Sequence, residues 1–160
     1  MSNQNPLQIA LLGLGTVGTG VAIILRKTAD LLAKRAGRPL RLAKVLYKDP
    51  HKKRETALSP DQLAASLDEI LNDPAIDVVV EVAGGTIWAF DAMASALKHG
   101  KDVVTANKAV LATRGKELFD IARAHRRCVA FEASVGGGIP IIGAIQRGLA
   151  ANQILGIQGI

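Results

Sequence analysis

Short apolar runs alternate along this chain with longer stretches in which apolar and polar residues mix at helical spacing. The apolar runs predict β-strands at residues 7–12, 41–47, 77–83, 102–105, 128–131 and 154–160. The mixed stretches predict helices at residues 16–36, 67–71, 86–99, 114–126 and 140–150, with helical structure also starting at Asn107. Residues 48–61 are polar and contain two prolines, so they predict a loop or a weak helix.

The regular alternation of strand and helix indicates the fold class. A strand that returns to the same sheet through a helix crosses over right-handedly, and this places helices on both faces of a parallel sheet. The sequence therefore predicts an α/β fold of the Rossmann type, with a doubly wound parallel sheet.

Composition supports one domain of this kind. The chain has 160 residues, of which 49% are hydrophobic and only 3% aromatic, so its core must be built from aliphatic side chains. Cys128 is the only cysteine, and its place in an apolar run predicts a buried structural thiol. The N-terminus is polar without a basic segment, so we expect no secretory signal and a cytoplasmic location.

The net charge and the longest uncharged run limit the classes of partner that the chain could bind. The net charge of +6 fits either a dinucleotide partner or a solvated basic face. Nucleic acid is disfavoured, because no aromatic stacking surface accompanies the basic residues. Residues 7–25 carry no charge, but four glycines interrupt their middle, so a strand, a turn and a helix start are favoured over a membrane span.

The turn after the first predicted strand has the spacing of a dinucleotide fingerprint. Gly13-Leu14-Gly15-Thr16-Val17-Gly18 has the form G-x-G-x-x-G and stands between a predicted strand and a predicted helix. Gly13 permits the tight turn, Gly15 lets backbone approach a pyrophosphate, and Gly18 lets the helix pack closely on the strand. The alternative is an ordinary strand-to-helix turn.

The ends of the second and third strands offer further cofactor contacts. Lys48 and the basic residues 52–54 favour NADP, because cations accommodate a 2′-phosphate, although a solvated loop explains residues 52–54 equally well. Gly84 and Gly85, followed by Thr86, would let a ribose or nicotinamide lie against backbone. A simple packing turn is the alternative there.

Two longer segments are more specific than the glycine fingerprint. They are Thr105-Ala106-Asn107-Lys108 and Glu132-Ala133-Ser134-Val135-Gly136-Gly137-Gly138-Ile139-Pro140. With the fingerprint and residues 80–85, they resemble the homoserine dehydrogenase family over about residues 7–160. Residues 154–160 resemble the start of that family's substrate domain.

The resemblance implies an activity. It is the NAD(P)-dependent, reversible oxidation of L-homoserine to L-aspartate 4-semialdehyde in the biosynthesis of threonine, methionine and isoleucine, by a homo-oligomeric parent protein. Lys108 would lie near the nicotinamide and the reacting substrate, where a cation stabilises negative charge on the substrate oxygen or assists proton movement. The Glu132 carboxylate and the carbonyls of Val135, Gly137 and Ile139 would bind a monovalent cation, Na⁺ or K⁺.

The resemblance also predicts how the chain is divided. Residues 1–150 would form the dinucleotide-binding domain, and residues 151–160 would begin a substrate domain whose remainder is absent. We therefore expect the chain alone not to oxidise homoserine. Two alternatives stay open: a non-catalytic dinucleotide-binding module, and another Rossmann dehydrogenase that acts on a small amino acid or semialdehyde.

Overall fold

A computed structural model of the chain describes residues 5–48 and 58–158. Five parallel strands form one sheet in the order β2-β1-β3-β4-β5. The strands are β1 (Leu7–Leu12), β2 (Leu40–Leu46), β3 (Val78–Glu81), β4 (Asp102–Thr105) and β5 (Val129–Ala130). The order reverses between β1 and β3, so a crevice opens there at the carboxyl ends of the strands. The predicted fold class, α/β with a doubly wound parallel sheet, is confirmed.

Six α-helices accompany the sheet within the described ranges. They are α1 (Thr16–Lys27), α2 (Ala29–Ala36), α3 (Leu67–Asn72), α4 (Ile87–Lys98), α5 (Lys108–Ala124) and the short α6 (Ile141–Gly143), which continues as a π-helical turn over Ala144–Gly148. The single long helix predicted at residues 16–36 is wrong in one respect. It is divided at Thr28, whose hydroxyl donates to the carbonyl of Ile24 and competes with the helical backbone.

Two apolar clusters hold the layers together. The larger one buries α4 and α5 against one face of the sheet, around Leu12, Val79 and Val103. The smaller one packs α1 on the other face, around Leu11 and Val45. Since strands alternate their side chains between the two faces, β1, β2 and β3 contribute to both clusters, whereas β4 and β5 contribute only to the larger one.

Beyond β4 the second face is less covered. Val104 and its cross-strand neighbour Ala130 are exposed, and so is Cys128, two residues before Ala130. The prediction of a buried Cys128 is therefore wrong. Burial fails because the smaller cluster, which covers this face of the sheet, includes residues of β1, β2 and β3 but none of β4 or β5.

The strand predicted at residues 154–160 does not form over its described part. Residues 153–158 belong to no helix or strand, and Leu155 and Ile157 are 90% and 74% exposed. A strand needs a neighbouring ladder, and within the described ranges β5 pairs with β4 alone. No helix in these two ranges is long and apolar enough to cross a membrane.

Candidate functional site

The turn between β1 and α1 lies at the point where the strand order reverses. Its first glycine donates its N–H to the carbonyl of Leu46 at the end of β2, at 2.8 Å. On the other side, the N–H of Val82 donates to the carbonyl of Leu12 at 2.9 Å. The turn is thus held between the ends of β2 and β3, at the carboxyl edge of the sheet.

Two glycines of this turn are required by sterics. Gly13 has a φ of +100°, and a Cβ there would lie 2.6 Å from the Cα of Ala83. A Cβ on Gly18 would lie 2.1 Å from the carbonyl oxygen of Gly13. The start of α1 therefore packs closely on the turn, and the turn packs closely on the loop after β3, as the fingerprint predicts.

The middle glycine differs from these two. A Cβ built on Gly15 meets nothing within 4 Å among the described residues, so its hydrogen faces open space. Gly15 is the N-cap of α1 and has no side chain that could cap the helix, and Thr16 and Val17 behind it are exposed. The first N–H groups and the positive end of α1 therefore face that space, an arrangement that attracts an anion.

The end of β2 supplies one described cation. Lys48 is exposed and follows the last residue of β2, Leu46, by two positions. Because the strands are parallel, this places Lys48 at the same edge as the turn of Gly13 to Gly18. The remainder of the predicted basic cluster, residues 52–54, lies outside the described residues.

The loop between β3 and α4 is the second glycine turn of this edge. Gly84 and Gly85 have φ values of +77° and +78°, which a residue with a Cβ adopts rarely. Both are exposed, and so is Thr86, the N-cap of α4. Open space therefore borders this backbone, as expected of a surface that receives part of a ligand.

Beneath that turn lies a buried carboxylate that the sequence analysis did not assign to the site. Glu81, the last residue of β3, is fully buried. One carboxylate oxygen accepts the N–H groups of Ala83 and Gly84 at 2.9 and 3.2 Å. The other accepts the hydroxyl of Thr105, its cross-strand neighbour on β4, at 2.9 Å.

The same network continues into the start of α5. The hydroxyl oxygen of Thr105 accepts the N–H of Asn107 at 3.0 Å. The side chain of Asn107 caps α5 by accepting the N–H of Val110, and its amide donates to the carbonyl of Gly85 at 2.8 Å. The loops after β3 and β4 are therefore tied to each other through side chains.

Lys108 is the first residue of α5, directly after this cap, and it is exposed. The N-terminus of a helix is electrostatically unfavourable for a cation, because the positive end of the dipole lies there. A lysine held at this position beside the Gly85 turn can supply positive charge to a ligand at the carboxyl edge.

The loop after β5 contains the predicted cation ligands. The Glu132 carboxylate accepts the N–H groups of Ile142 and Gly143 at 2.9 and 2.8 Å, so it caps α6. Gly136 and Gly138 have positive φ values, which curl the chain between Val135 and Ile139. Among residues 5–48 and 58–158, no three His, Cys, Asp or Glu side chains gather as a metal cluster. A cation site there would consist of Glu132 and backbone carbonyls.

This loop is joined to the glycine turns. Ser134 is buried, and its hydroxyl donates to the carbonyl of Thr105 at 2.9 Å. The predicted residues after β1, β3, β4 and β5 therefore share one edge of the sheet. The predicted site residues did not include Glu81, Thr105, Asn107 and Ser134, although all four stand inside the segments that carry the family resemblance. A carboxylate closing an apolar strand was the available signal.

A family model described as "Homoserine dehydrogenase, NAD binding domain" matches residues 13–132. Curated relatives agree. The homoserine dehydrogenase of Pseudomonas aeruginosa is 43% identical over 98% of this chain, and that of Bacillus subtilis is 42% identical over 96%. The chain spans only 36% of the length of either relative.

Solved structures agree with both comparisons. The structure of a homoserine dehydrogenase from Thiobacillus denitrificans superposes with a TM-score of 0.85 at 42% identity, over 92% of this chain and 34% of that one. The S. aureus homoserine dehydrogenase gives a TM-score of 0.75 at 40% identity, over 82% of this chain and 34% of that one.

Proposed function

This chain belongs to the homoserine dehydrogenase family, as its NAD-binding portion, and on that premise we propose that it binds NAD(P)(H) across the carboxyl edge of the sheet. The observation that carries the proposal is the turn of Gly13 to Gly18. Close backbone contacts there exclude side chains at Gly13 and Gly18, while open space lies over Gly15. This is the cradle that a pyrophosphate needs at a helix N-terminus.

The two halves of the cofactor would lie on either side of this turn. The adenosine half would lie toward the end of β2, where Lys48 favours NADP over NAD by offering a charge to the 2′-phosphate. The nicotinamide half would lie toward β3 and β4, against Gly84, Gly85 and Thr86. Thr16 and Val17 would donate backbone N–H groups to the phosphates.

We propose that the whole polypeptide containing this chain interconverts L-homoserine and L-aspartate 4-semialdehyde, in the biosynthesis of threonine, methionine and isoleucine. The nicotinamide would supply the hydride acceptor for the substrate's alcohol carbon, and the donor in the reverse direction. Lys108 would contact both the nicotinamide end of the cofactor and the substrate. Its ammonium would stabilise the negative charge that develops on the substrate oxygen.

The loop after β5 would hold a monovalent cation, Na⁺ or K⁺. Its ligands would be the carboxylate of Glu132 and the carbonyls of Val135, Gly137 and Ile139. The donor set fits a hard cation, which prefers oxygen, and each Glu132 oxygen retains acceptor capacity beside its one backbone bond. Such an ion would fix the loop relative to α6.

Three broader proposals follow from the family. Residues 1–150 would form the cofactor domain, with 151–160 starting a substrate domain. The whole protein would be a cytoplasmic homo-oligomer acting on a small molecule. The 160-residue chain alone would not turn over homoserine, because its partner domain would position the substrate, and positioning supplies up to about 7–11 kcal/mol of such a barrier.

The test is an activity assay on the whole polypeptide. NADPH absorbance is followed with aspartate 4-semialdehyde, and Lys108→Ala is compared with Lys116→Ala. Lys116 is a matched control on the same helix, paired with Asp120 and exposed. We expect Lys108→Ala to lower kcat more than it raises KM, because the charge acts mainly in the transition state. An unchanged kcat would return Lys108 to the role of a surface residue.

A further inference from the structure

The carboxylate of Glu81 cannot contact a ligand on the surface, since the whole residue is 0% exposed. Its three donors are nevertheless all groups that shape the proposed nicotinamide side: the N–H groups of Ala83 and Gly84, and the hydroxyl of Thr105. Carboxylate oxygens accept hydrogen bonds, so these three donors match the chemistry of the side chain.

These bonds close a ring that joins two separate loops. From Glu81 the ring passes to Thr105, then to Asn107, whose amide donates to the carbonyl of Gly85, and back through Gly84 to Glu81. Four of its links are single hydrogen bonds of 2.8 to 3.2 Å, and the peptide bond between Gly84 and Gly85 closes the ring. The Gly84–Gly85 turn is therefore tied to the start of α5 by two routes, and breaking one link leaves a single, looser connection.

We propose that Glu81 is a positioning residue, which sets the Gly84–Gly85 turn against Asn107 and Lys108 and thereby fixes the nicotinamide end of the bound cofactor. The inference rests on the proposed function and deepens it. Glu81 acts through Thr105 and Asn107, and the adenosine end of the cofactor, on the far side of the Gly13 turn, is independent of the ring.

This asymmetry defines the test. Binding of NADPH, or of NADH if the whole protein prefers it, is measured by calorimetry beside binding of the matching nicotinamide-free fragment, 2′-phospho-ADP-ribose or ADP-ribose. Thr105→Val removes the hydroxyl at nearly constant shape. We expect it to weaken the whole cofactor roughly 5- to 150-fold, the effect of one unsatisfied buried partner, and to leave the fragment unchanged.

Matched variants distinguish an effect on the position of the cofactor from a general loss of protein stability. Thr105→Ser retains the hydroxyl and should restore binding of the whole cofactor. Thr113→Val makes the same change on α5, where the hydroxyl bonds only to carbonyls of its own helix, and should leave both ligands unaffected. Glu81→Gln keeps the side-chain shape but cannot accept the hydroxyl hydrogen of Thr105 through its amide nitrogen, so it should resemble Thr105→Val.

Asn107→Asp keeps the test decisive if the buried variants fail to fold. It removes the donor to the carbonyl of Gly85 while retaining an acceptor for Val110, and a negative charge at a helix N-terminus stabilises the helix. A selective loss of the whole cofactor in this variant supports the inference. Equal loss of cofactor and fragment, or no loss of either, overturns it. A whole protein that binds neither ligand before substitution overturns the proposed function as well.

Discussion

Among the residues that the structure describes, each edge of the sheet buries one ionisable side chain, an acidic one at the carboxyl edge and a basic one at the amino edge. At the carboxyl edge Glu81 is 0% exposed, and at the amino edge Lys101 is 2% exposed. Glu81 accepts hydrogen bonds from loop N–H groups, whereas the ammonium of Lys101 donates to the carbonyls of Asp73 and Ile76 at 2.6 and 3.1 Å. Each charge fixes a loop through its backbone.

The opposite signs follow from the topology. In a parallel sheet with crossover helices, helices begin beyond the carboxyl ends of the strands and end near their amino ends. α1, α4 and α5 therefore bring free N–H groups and positive dipole ends to the Glu81 edge, and the C-terminus of α4 lies beside Lys101, whose N–H donates to Ala96.

The edges differ in what surrounds the buried charge. Around Glu81 the loops are glycine-containing and exposed, with space over Gly15, Gly84 and Gly85 among the described residues. Around Lys101 the loop closes on itself, and Ile76 is 3% exposed. We therefore propose that the buried ionisable side chain supports ligand binding at the first edge and only stability at the second.

The sharpest test of this division is Gly15→Val. Gly15 has ordinary extended backbone angles, and a Cβ there meets no described atom, so the fold should tolerate valine. The branched side chain would occupy the space proposed for the pyrophosphate, so binding of both NADP and NAD should be lost even at millimolar concentration by calorimetry.

Gly20→Ala is the matched control on the same helix. Gly20 also has open space around its Cβ position among the described residues, but it lies inside α1. Binding should persist there, and stability should rise by about 0.5–1 kcal/mol because alanine favours the helix. If Gly15→Val still bound the cofactor, the assignment of cofactor binding to the carboxyl edge would be wrong.

Lys48→Ala tests the selectivity of the carboxyl edge. If Lys48 contacts the 2′-phosphate, the loss of a charge-assisted hydrogen bond of about 1.5–3 kcal/mol should weaken NADP roughly 10- to 150-fold. NAD lacks that phosphate, so its affinity should change little. Equal weakening of both cofactors in a titration of the whole protein would show that Lys48 acts through general charge.

The sequence predicted those features of the carboxyl edge that depend on residues close together along the chain. The spacing of Gly13, Gly15 and Gly18 predicted positions where a side chain would not fit. The structure shows close backbone contacts at Gly13 and Gly18 and open space at Gly15. Apolar runs likewise predicted β1 and β4 with their observed bounds. Periodicity and turn chemistry are properties of neighbouring residues, so they can be recognised from the sequence before the fold is known.

The sequence did not predict what depends on register. Glu81 meets Thr105 across 24 residues, and Lys101 meets Asp73 across 28, only because β3 and β4 pair in one register. Nor could periodicity show that residues 154–158 lack a strand partner. The break at Thr28 was readable in principle, since threonine hydroxyls compete with helical bonds, but a threonine inside a helix is common.

Lys101→Met tests the amino edge. Methionine retains most of the side-chain volume but removes the ammonium donor from both carbonyls, of which that of Asp73 still accepts the N–H of Ile76. An unsatisfied buried acceptor costs about 1–3 kcal/mol, so the free energy of unfolding should fall by that order. Cofactor affinity should be unchanged, because this edge faces away from the glycine turns.

Two measurements check this prediction in the whole protein. Hydrogen exchange should quicken in the peptide that spans residues 73–77, while calorimetry with NADPH gives the unsubstituted value. Weakened NADPH binding at unchanged stability would contradict the assignment of Lys101 to stability alone.

The smallest expected effect is a pH dependence that belongs to Lys101. Burial lowers the pKa of its ammonium below the ordinary 10.5, and the carboxylates of Asp73 and Asp77 offset part of that shift. In the pH window just below 10.5, the unfolded chain therefore binds more protons at this position than the folded one. Stability from Lys101 must then rise with pH through that window, because burying the charged form is penalised and burying the neutral amine is not.

The comparison with Lys101→Met isolates this dependence, since all other titrating groups are common to both proteins. The difference in free energy of unfolding, wild type minus variant, should grow in favour of the wild type as the pH is raised from 7 toward 10.5. The neutral amine still has two N–H groups for the two carbonyls, so the hydrogen bonds survive deprotonation. Denaturant titrations along this pH range provide the measurement. A constant difference would mean that Lys101 has the same pKa in both states, and that its burial at the amino edge carries no electrostatic penalty.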